Sequence, residues 1–411
     1  MPLIPQLQAL YQNLSLIDKL RYRSQFQHKK GEMTDIFDGA HYRSLRKEKL
    51  DSNRPYCFFD DPRDIALGLS LDGFTLFKRR RKGNSTAWPL ILVNYSLPPT
   101  IRTHLENIIC VGVIPGPKQF KDLNSFLTPL LEELLELENG VETIDCSAGP
   151  FNKTFTLRAF LLLAFGDIPA LTKLLGIKGH NAFSPCRTCK ITGVKDTRPN
   201  SHIYFVPLTT PGEAEYWDPT HLKTRSSASF EAHIAEMAAA TTQTAREDLA
   251  RACGINSRCI LSSLRAIDMS RSFPYDFMHL IYENLVPNLI RHWTGTFKGL
   301  DEGCEHYQLS ADQWIAIGQE TAALTVTLPA EFVGTLPDIA LDIGLYKAEA
   351  YGFWIQYIAP IVLKGRLSDK YYWHLLELRD IVELCLRFEL TALDIATLEV
   401  LIIRWVSDYE K

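Results

Sequence analysis

The run AFLLLAF at 159–165 restricts the fold more than any other stretch, because every position is apolar and the run ends at Gly166-Asp167. It is far shorter than the roughly 20 residues that a membrane-spanning helix needs. A strand with one wet face alternates apolar and polar residues, whereas a strand buried on both faces is apolar throughout. The run therefore predicts a central strand that other layers cover on both sides.

The segments before this run predict three more strands and a helix. IALGLSLDGFTLF and WPLILVNYSL flank a basic turn, which is typical of a hairpin, and ENIICVGVIPG supplies a third strand. FLTPLLEELLELENG has apolar residues at helical spacing and ends in Gly. Three antiparallel strands, a helix and a buried strand are the opening order of the ribonuclease H-like fold.

Two aspartates occupy matching positions in this predicted order. The first strand and the strand after the helix are neighbours in that fold, so Asp72 and Asp167 are expected at one edge of the sheet. In-line cleavage of a phosphodiester can use two divalent ions about 3.5–4 Å apart, and Mg²⁺ prefers carboxylate oxygen. Both acids also have a structural interpretation, because Asp72-Gly73 is typical of a turn and Asp167 before Ile-Pro of a helix N-cap.

Six blocks of the sequence resemble, in the same order, the DDE transposases of the CACTA (En/Spm) type, especially those of fungal genomes. The resemblance extends from about residue 30 to about residue 370. It implies metal-dependent nicking of transposon-end DNA by Mg²⁺ or Mn²⁺, followed by strand transfer from the 3′-hydroxyl. The blocks are DIFDGAHYRSL, SLDGFTLFK, IPGPKQFKDLNSFLTPLLEEL, GDIPALTKLLGIKGHNAFSPCRTC, YDFMHLIYENLVPNLIRHW and YKAEAYGFWIQYIAPIVLKG.

Matched position by position, the resemblance implies three catalytic acids that bind the metal: Asp72, Asp167 and Glu349 in YKAEAY. Some branches of the family place the third acid one residue later, where this chain has Ala350. Asp342 is the alternative third acid. The structural interpretation of Glu349 is an exposed helical glutamate.

A pair of cysteines has the spacing of half a tetrahedral zinc site, at Cys186 and Cys189. A redox role would require a strand before the pair and a helix that begins at Cys186, but GIKGHNAFSP predicts a loop. The resemblance adds His279 as a ligand. The fourth ligand stays open between His180, which can fold back through the loop, and Asp276, one helical turn from His279. A structural Zn²⁺ is favoured, and a reduced, metal-free pair is the alternative.

The connection between Asp167 and Glu349 is too long for a loop, so it predicts an inserted domain. Two of its segments, FEAHIAEMAAATTQTAREDLARAC and FMHLIYENLVPNLIRHW, are typical of helices. The predicted fold is α/β, with a ribonuclease H-like core of a mixed sheet flanked by helices and a mainly helical insertion. The expected divisions are a helical and irregular segment over 1–57, the first part of the core over 58–176, the insertion with the zinc site over 177–340, and C-terminal helices completing the core over 341–411.

One basic cluster and two basic residues beside the cysteine pair predict where double-stranded DNA is contacted. The net charge of −4 does not by itself indicate a nucleic-acid-binding protein, but RYRSQFQHKK at 21–30 and KRRRK at 78–82 are locally basic. A solvated turn and a nuclear-import signal are alternatives for KRRRK. The predicted phosphate contacts are Lys78, Arg79, Arg80, Arg81, Lys82, Arg187 and Lys190.

Nine irregularly spaced cysteines and the lack of a signal-peptide pattern predict a reducing, intracellular and, with the resemblance, nuclear protein. Membrane insertion is not expected. The leading hypothesis is a transposase that acts on transposon ends and target DNA. A second copy of the chain is a further expected partner, in a homo-oligomer. The alternatives are a domesticated or decayed relative that binds DNA or protein without cutting, and a structure-selective nuclease. Longer members of the family have extra terminal regions, so a fragment or shortened relative is also expected.

Overall fold

The computed structural model describes residues 1–51, 55–79, 83–116, 122–148, 153–196, 198, 201, 204–209, 217–297, 306–329 and 331–411. The chain divides into two compact units, Met1–Tyr275 and Asp276–Lys411. The boundary between the units falls within 177–340, the range predicted for the inserted domain. Among the helices that are described, none is both long enough and apolar enough to cross a membrane.

The first unit is a mixed α/β structure. Short 3₁₀ helices cover Ile36–Asp38, Leu105–Asn107, Cys146–Ala148 and Ile260–Ser263. The helices are α1 (Leu3–Leu10), α2 (Leu14–Leu20), α3 (Tyr22–Gln25), α4 (Ala40–Leu45), α5 (Asn124–Asn139), α6 (Ile168–Leu175), α7 (Ser227–Ala239) and α8 (Gln243–Cys253). The strands are β1 (Glu32–Met33), β2 (Ile65–Leu71), β3 (Phe74–Arg79), β4 (Gly83–Asn94), β5 (Ile109–Pro115), β6 (Val141–Asp145), β7 (Lys153–Leu157), β8 (Ala159–Gly166), β9 (Val194–Lys195) and β10 (Tyr204–Phe205).

A mixed sheet forms the centre of this unit. The long strand β4 pairs antiparallel with β2 and β3, which follow one another along it, and with β5 on its other side. β2 pairs in parallel with β8, so the order across the sheet is β5-β4-β2-β8. The predicted hairpin and third strand are present, and the first strand and the buried strand are neighbours as expected.

Side chains cover both faces of β2 and β8. Ile65 and Leu67 of β2 belong to a core that also contains residues of α1 and α5. Phe160 of β8 belongs to a second core, which contains Phe37 and Tyr42 from the α4 region. Burial on both faces removes apolar surface from water, at about 25 cal/mol for each Å², and it confirms that AFLLLAF is covered on both sides. The predicted central position is wrong for the described strands, because β8 pairs only with β2 and is the last strand in the sheet order.

A hairpin precedes β8, although the apolar character of TFTLRAFLLLAF predicts one strand. β7 ends at Leu157 and pairs antiparallel with β6, while β8 begins at Ala159. Arg158 stands at the break, where its guanidinium carbon lies 4.1 Å from the centre of the Tyr56 ring. The sequence pattern misses this break because a single charged residue between apolar runs can be accommodated by an aromatic partner.

The second unit is mainly helical, apart from the two-residue β11 (Leu390–Thr391). Trp354 is fully buried at its centre and donates from Nε1 to the Thr321 hydroxyl at 3.2 Å. The helices predicted in YDFMHLIYENLVPNLIRHW and YKAEAYGFWIQYIAPIVLKG are present, each with a π-helical segment. The elements are the π-helix Met278–Leu285, α9 (Val286–Trp293), α10 (Ala311–Leu324), the 3₁₀ helix Ile343–Leu345, α11 (Ala348–Phe353), the π-helix Trp354–Ile358, α12 (Ala359–Val362), α13 (Asp369–Cys385) and α14 (Ala392–Tyr409).

A buried carboxyl group precedes β2. Asp64 is 1 % exposed; its Oδ2 accepts from the Tyr56 hydroxyl at 2.7 Å, and its Oδ1 has no hydrogen bond with any described residue. Burial raises the pKa of Asp64 to about 7. Because the pKa is higher in the folded state, the contribution of Asp64 to stability is fully present below about pH 4 and is lost as the pH rises through 7.

We expect Asp64→Asn to weaken the pH dependence of stability. The amide keeps an oxygen that accepts from Tyr56 but cannot ionise. The free energy of unfolding should therefore fall less between about pH 4.5 and 8 than in the wild type, by on the order of 2–4 kcal/mol. Urea unfolding at several pH values measures the difference, with the exposed Asp18→Asn as the control. Equal pH slopes in the wild type and Asp64→Asn would contradict the prediction.

Candidate functional site

The ends of β2 and β8 bring two of the predicted catalytic acids to one edge of the sheet. Leu71 lies opposite Gly166 in the parallel pairing, so Asp72 and Asp167 are the next residues on adjacent strands. Neighbouring strands are about 4.8 Å apart. The two carboxylates therefore extend from backbone positions close enough to bind one divalent ion, or two ions about 3.5–4 Å apart.

Glycines allow close packing around these acids. A Cβ atom on Gly166 would lie 2.1 Å from the carbonyl oxygen of Leu71, and a Cβ atom on Gly73 would lie 2.1 Å from the indole nitrogen of Trp88. A larger residue at either position would push the strand ends apart or displace the indole. Trp88 is thus a neighbour of the site that the sequence does not reveal, because only the pairing of β4 brings it there.

Asp167 also has the structural role that its sequence context suggests. Its Oδ1 accepts from the backbone N–H of Ala170 at 2.6 Å, so Asp167 is the N-cap of α6. Such a cap stabilises a helix by about 1 kcal/mol. The cap uses Oδ1, and a metal ion would be bound through Oδ2. Asp167 is half-buried and Asp72 is exposed, so the two acids lie at the surface end of the sheet.

The two candidates for the third acid lie in the second unit. Glu349 is exposed in the first turn of α11, and Asp342 is exposed immediately before the 3₁₀ helix Ile343–Leu345. Ala350 is 9 % exposed and belongs to the helical core. A carboxylate at position 350 would be buried among apolar side chains, so position 349 is the one of the two that faces solvent.

Cys186 and Cys189 form a turn in which hydrogen bonds converge on one sulfur. The Sγ atom of Cys186 accepts from the backbone N–H groups of Thr188 at 3.3 Å and of Cys189 at 3.2 Å. The Tyr275 hydroxyl lies 3.6 Å from the same sulfur. The Cys189 thiol and these N–H groups lower the pKa of Cys186, whereas the pKa of Cys189 is raised by its contact with Cys186. The pair therefore favours one thiolate at Cys186.

The surroundings of the cysteine pair suit a metal better than redox chemistry. Residues 180–190, all of which are described, contain no helix, and Cys189 forms an isolated β-bridge with Thr224. The helix that would begin at the first cysteine of a thioredoxin-like site is therefore lacking in this stretch. Backbone N–H groups directed at sulfur stabilise a thiolate, which is the form that binds Zn²⁺. The turn thus fits one half of a zinc site.

The other predicted zinc ligands lie elsewhere along the chain. His180 is exposed in the turn before the cysteines, and Asp276 and His279 are at the beginning of the second unit. Nδ1 of His279 lies 2.8 Å from Oδ2 of Asp276, a contact of the kind that orients metal-binding imidazoles. No three His, Cys, Asp or Glu side chains are grouped so that they could hold a metal ion in the part of the chain that the structure describes.

The predicted DNA contacts in the hairpin are only partly described. Lys78 and Arg79 lie in β3, whose pairing with β4 confirms the predicted hairpin. Arg80, Arg81 and Lys82 lie outside the described residues.

The two basic residues beside the cysteines differ in exposure. Lys190 is exposed. Arg187 is only 9 % exposed; its Nη2 donates to the carbonyl of Pro274 at 2.8 Å, and its guanidinium carbon lies 3.8 Å from the centre of the Tyr275 ring. Arg187 thus holds the cysteine turn against residues 274–275, and this burial does not suit the predicted phosphate contact. The sequence around a charged residue does not show whether an aromatic side chain from a distant segment covers that residue.

The fold and site define a mixed α/β protein with two aspartates at adjacent strand ends and a Cys-x-x-Cys turn. The chain belongs to the transposase family tnp2, whose model matches residues 33–253, more than half of the chain. The matched range contains both aspartates and both cysteines. No curated protein matches the chain. The membership assigns a transposase-related function and confirms that the resemblance found in the sequence is to a transposase.

Proposed function

We propose that the protein is a DDE-type DNA transposase of the CACTA (En/Spm) type with a ribonuclease H-like core. It would nick transposon-end DNA and join the resulting 3′-hydroxyl to target DNA. The observation that carries the proposal is the parallel pairing of β2 with β8, which makes Asp72 and Asp167 neighbours at the strand ends. The order β5-β4-β2-β8, with three antiparallel strands followed by a parallel one, agrees with such a core.

The residues at this edge fit Mg²⁺ or Mn²⁺. Mg²⁺ sites commonly use one or two carboxylates together with waters and phosphate oxygens of the substrate. Asp72 and Oδ2 of Asp167 would provide two carboxylate ligands, and Glu349 is the proposed third. The bound metal would supply an activated oxygen nucleophile and a stabilised leaving oxygen. The strands hold two like charges together, an arrangement that favours binding of a cation.

A structural Zn²⁺ is proposed at the cysteine turn. Cys186 and Cys189 would supply two thiolate ligands, with His279 as the third and either His180 or Asp276 as the fourth. The sulfur-directed hydrogen bonds from Thr188 and Cys189 support the first half of this assignment. A structural role is proposed because four protein ligands leave no coordination position for water.

The proposed partners are the transposon ends and target DNA, both double-stranded, and a second copy of the chain. Phosphate contacts are proposed for Lys190 and for Lys78, Arg79, Arg80, Arg81 and Lys82 of the hairpin, where they would add affinity without reading sequence. The proposed location is the nucleus.

A transposase-derived protein that binds DNA or protein without cutting is the second candidate. It is favoured by Ala350, which some branches replace with the third acid, and by the modest net charge of −4. A structure-selective nuclease on the same sheet is the third.

Incubating the full chain with supercoiled plasmid and with pre-cut duplex ends tests these candidates. The ends are taken from the DNA that flanks the coding sequence. We expect nicking and joining with Mg²⁺ or Mn²⁺ and none with EDTA. Nicking without joining would favour the nuclease, and binding without either reaction would favour the non-cutting relative. The absence of both binding and reaction would overturn the proposal.

A further inference from the structure

A groove of about 710 Å³ lies beside α4 at the N-terminal end of the first unit. Its floor is aromatic, formed by Phe26, Phe37 and Tyr42. Phe37 and Tyr42 are buried, and their ring centres are 4.7 Å apart, so the floor is part of the core. We call this feature the α4 groove. A floor anchored in the core holds its shape without a ligand.

The charged side chains that line the α4 groove are cations. The three cations are Arg43, Arg46 and Lys47, which lie along α4 and the residues after it. The imidazole of His28 faces them from the preceding loop. Arg43, Arg46 and Lys47 are exposed, so water screens their mutual repulsion. The nearest acid along the chain is the exposed Glu48, which accepts from the Ser44 hydroxyl at 3.0 Å. The groove is therefore locally positive in a chain whose net charge is −4.

Hydrogen bonds fix one wall of the groove. Nη1 of Arg43 donates to Nε2 of His28 at 3.0 Å, and Nδ1 of His28 donates to Oδ1 of Asp38 at 2.6 Å. Asp38 is buried, and its Oδ2 accepts from the backbone N–H and the hydroxyl of Thr34. This chain of contacts orients Arg43 toward the groove. Since Asp38 is buried and its oxygens are engaged, its charge is not presented to an incoming anion.

We infer that the α4 groove is a DNA-binding surface that contacts phosphates of the duplex backbone. The inference rests on the proposed function, because it assigns a further contact surface to the same protein. A positive, pre-formed groove complements a phosphodiester strand, and such contacts add affinity and register independently of sequence. The surface differs from the hairpin and from the cysteine turn, for which the sequence predicts contacts. It includes residues of the basic segment RYRSQFQHKK, which is not among the contacts predicted from the sequence.

The test compares two triple variants of the full chain that lose the same charge. Arg43→Gln/Arg46→Gln/Lys47→Gln alters the groove. Arg246→Gln/Arg251→Gln/Arg258→Gln alters three exposed arginines elsewhere in the first unit and is the matched control. Binding to a labelled 30-bp duplex is measured by fluorescence anisotropy in EDTA over a series of salt concentrations, so that no cleavage interferes.

We expect the groove variant to bind duplex DNA roughly ten- to a hundredfold more weakly near 0.1 M salt. The slope of log affinity against log salt should be smaller by about 2 to 3, because each lost phosphate contact removes about 0.9. The control variant should stay close to the wild type. The side chains of Arg46 and Lys47 have no hydrogen bond or ion pair with described residues, so the double variant Arg46→Gln/Lys47→Gln should fold as the wild type does. It should show a smaller loss of DNA affinity, which would then not be due to misfolding.

Equal losses in the groove and control variants, or no loss in either, would overturn the inference while leaving the proposed transposase intact. Tighter groove-dependent binding to single-stranded RNA than to duplex DNA would overturn it as well. If the wild type itself does not bind DNA, the DNA-binding step of the proposed function fails too. The two failures are thus distinguishable.

Discussion

Asp72→Asn is expected to lower metal-dependent nicking of DNA by at least about a thousandfold, equivalent to roughly 4 kcal/mol of transition-state stabilisation. The amide has nearly the shape of the carboxylate but does not provide the negative charge that Mg²⁺ requires. Initial rates of plasmid nicking measure the loss. DNA affinity in EDTA should be unchanged, because the substitution affects the bound metal and not the phosphate contacts.

Asp167→Asn should have a comparable effect on nicking with little effect on folding. Asparagine is about as good an N-cap as aspartate, so its side-chain oxygen still accepts from the N–H of Ala170. Asp167→Ala loses the cap as well and should cost about 1 kcal/mol of stability. The pair of variants separates the structural role of Asp167 from the proposed catalytic one.

The control for these two acids is Asp248→Asn, an exposed carboxylate on α8. It should nick DNA at the wild-type rate. Nicking by Asp72→Asn or Asp167→Asn at the rate of this control would sink the catalytic assignment of the edge formed by β2 and β8.

Cys186→Ser is expected to abolish high-affinity zinc binding and to lower the melting temperature. Purified wild-type protein should contain close to one zinc per chain by elemental analysis. A structural zinc site contributes folding free energy on the order of 10 kcal/mol in small domains, so the loss of one thiolate should be readily measurable. Cys110→Ser removes a half-buried thiol of β5 and is the control. Full zinc retention in Cys186→Ser would refute the site.

The same measurement identifies the remaining ligands. His279→Ala should lose zinc if the ligand set implied by the resemblance is correct. His180→Ala and Asp276→Ala are compared in the same way. The variant that loses zinc identifies the residue that is the fourth ligand. Asp276→Ala also removes the carboxylate that orients His279, so Asp276→Asn, which keeps a hydrogen-bond acceptor, separates ligation from positioning.

The local elements of the first unit follow from local physics, which a single sequence expresses. Strands β2, β4, β5 and β8 are apolar runs, α5 has helical periodicity, and Asp167 is followed by the Ile-Pro that marks the start of a helix. The order of these elements predicts that β2 and β8 are neighbours. That prediction is correct, although β3, β4, β5, α5 and the β6–β7 hairpin separate β2 from β8 along the chain.

Other features depend on contacts between residues far apart in the chain. The β6–β7 hairpin, the indole of Trp88 beside Gly73, and the burial of Arg187 under Tyr275 have no periodic signal. Each depends on which segment of the chain packs against another, and the residue pattern within one segment does not contain that information. The sequence pattern therefore predicts a single strand where β7 and β8 are separate, and a phosphate contact for Arg187.

By itself, the sequence determined strands β2, β4, β5 and β8, helix α5, the acids that follow two of these strands, and the transposase family. Hydrophobic periodicity and turn chemistry act over a few residues, and family blocks can be recognised without coordinates. Only the tertiary structure decided that Leu71 faces Gly166, which residue covers Arg187, and that Phe26 and His28 meet α4 in one positive groove. Register and burial arise from packing between segments distant in sequence, and that packing is what turns separate motifs into sites.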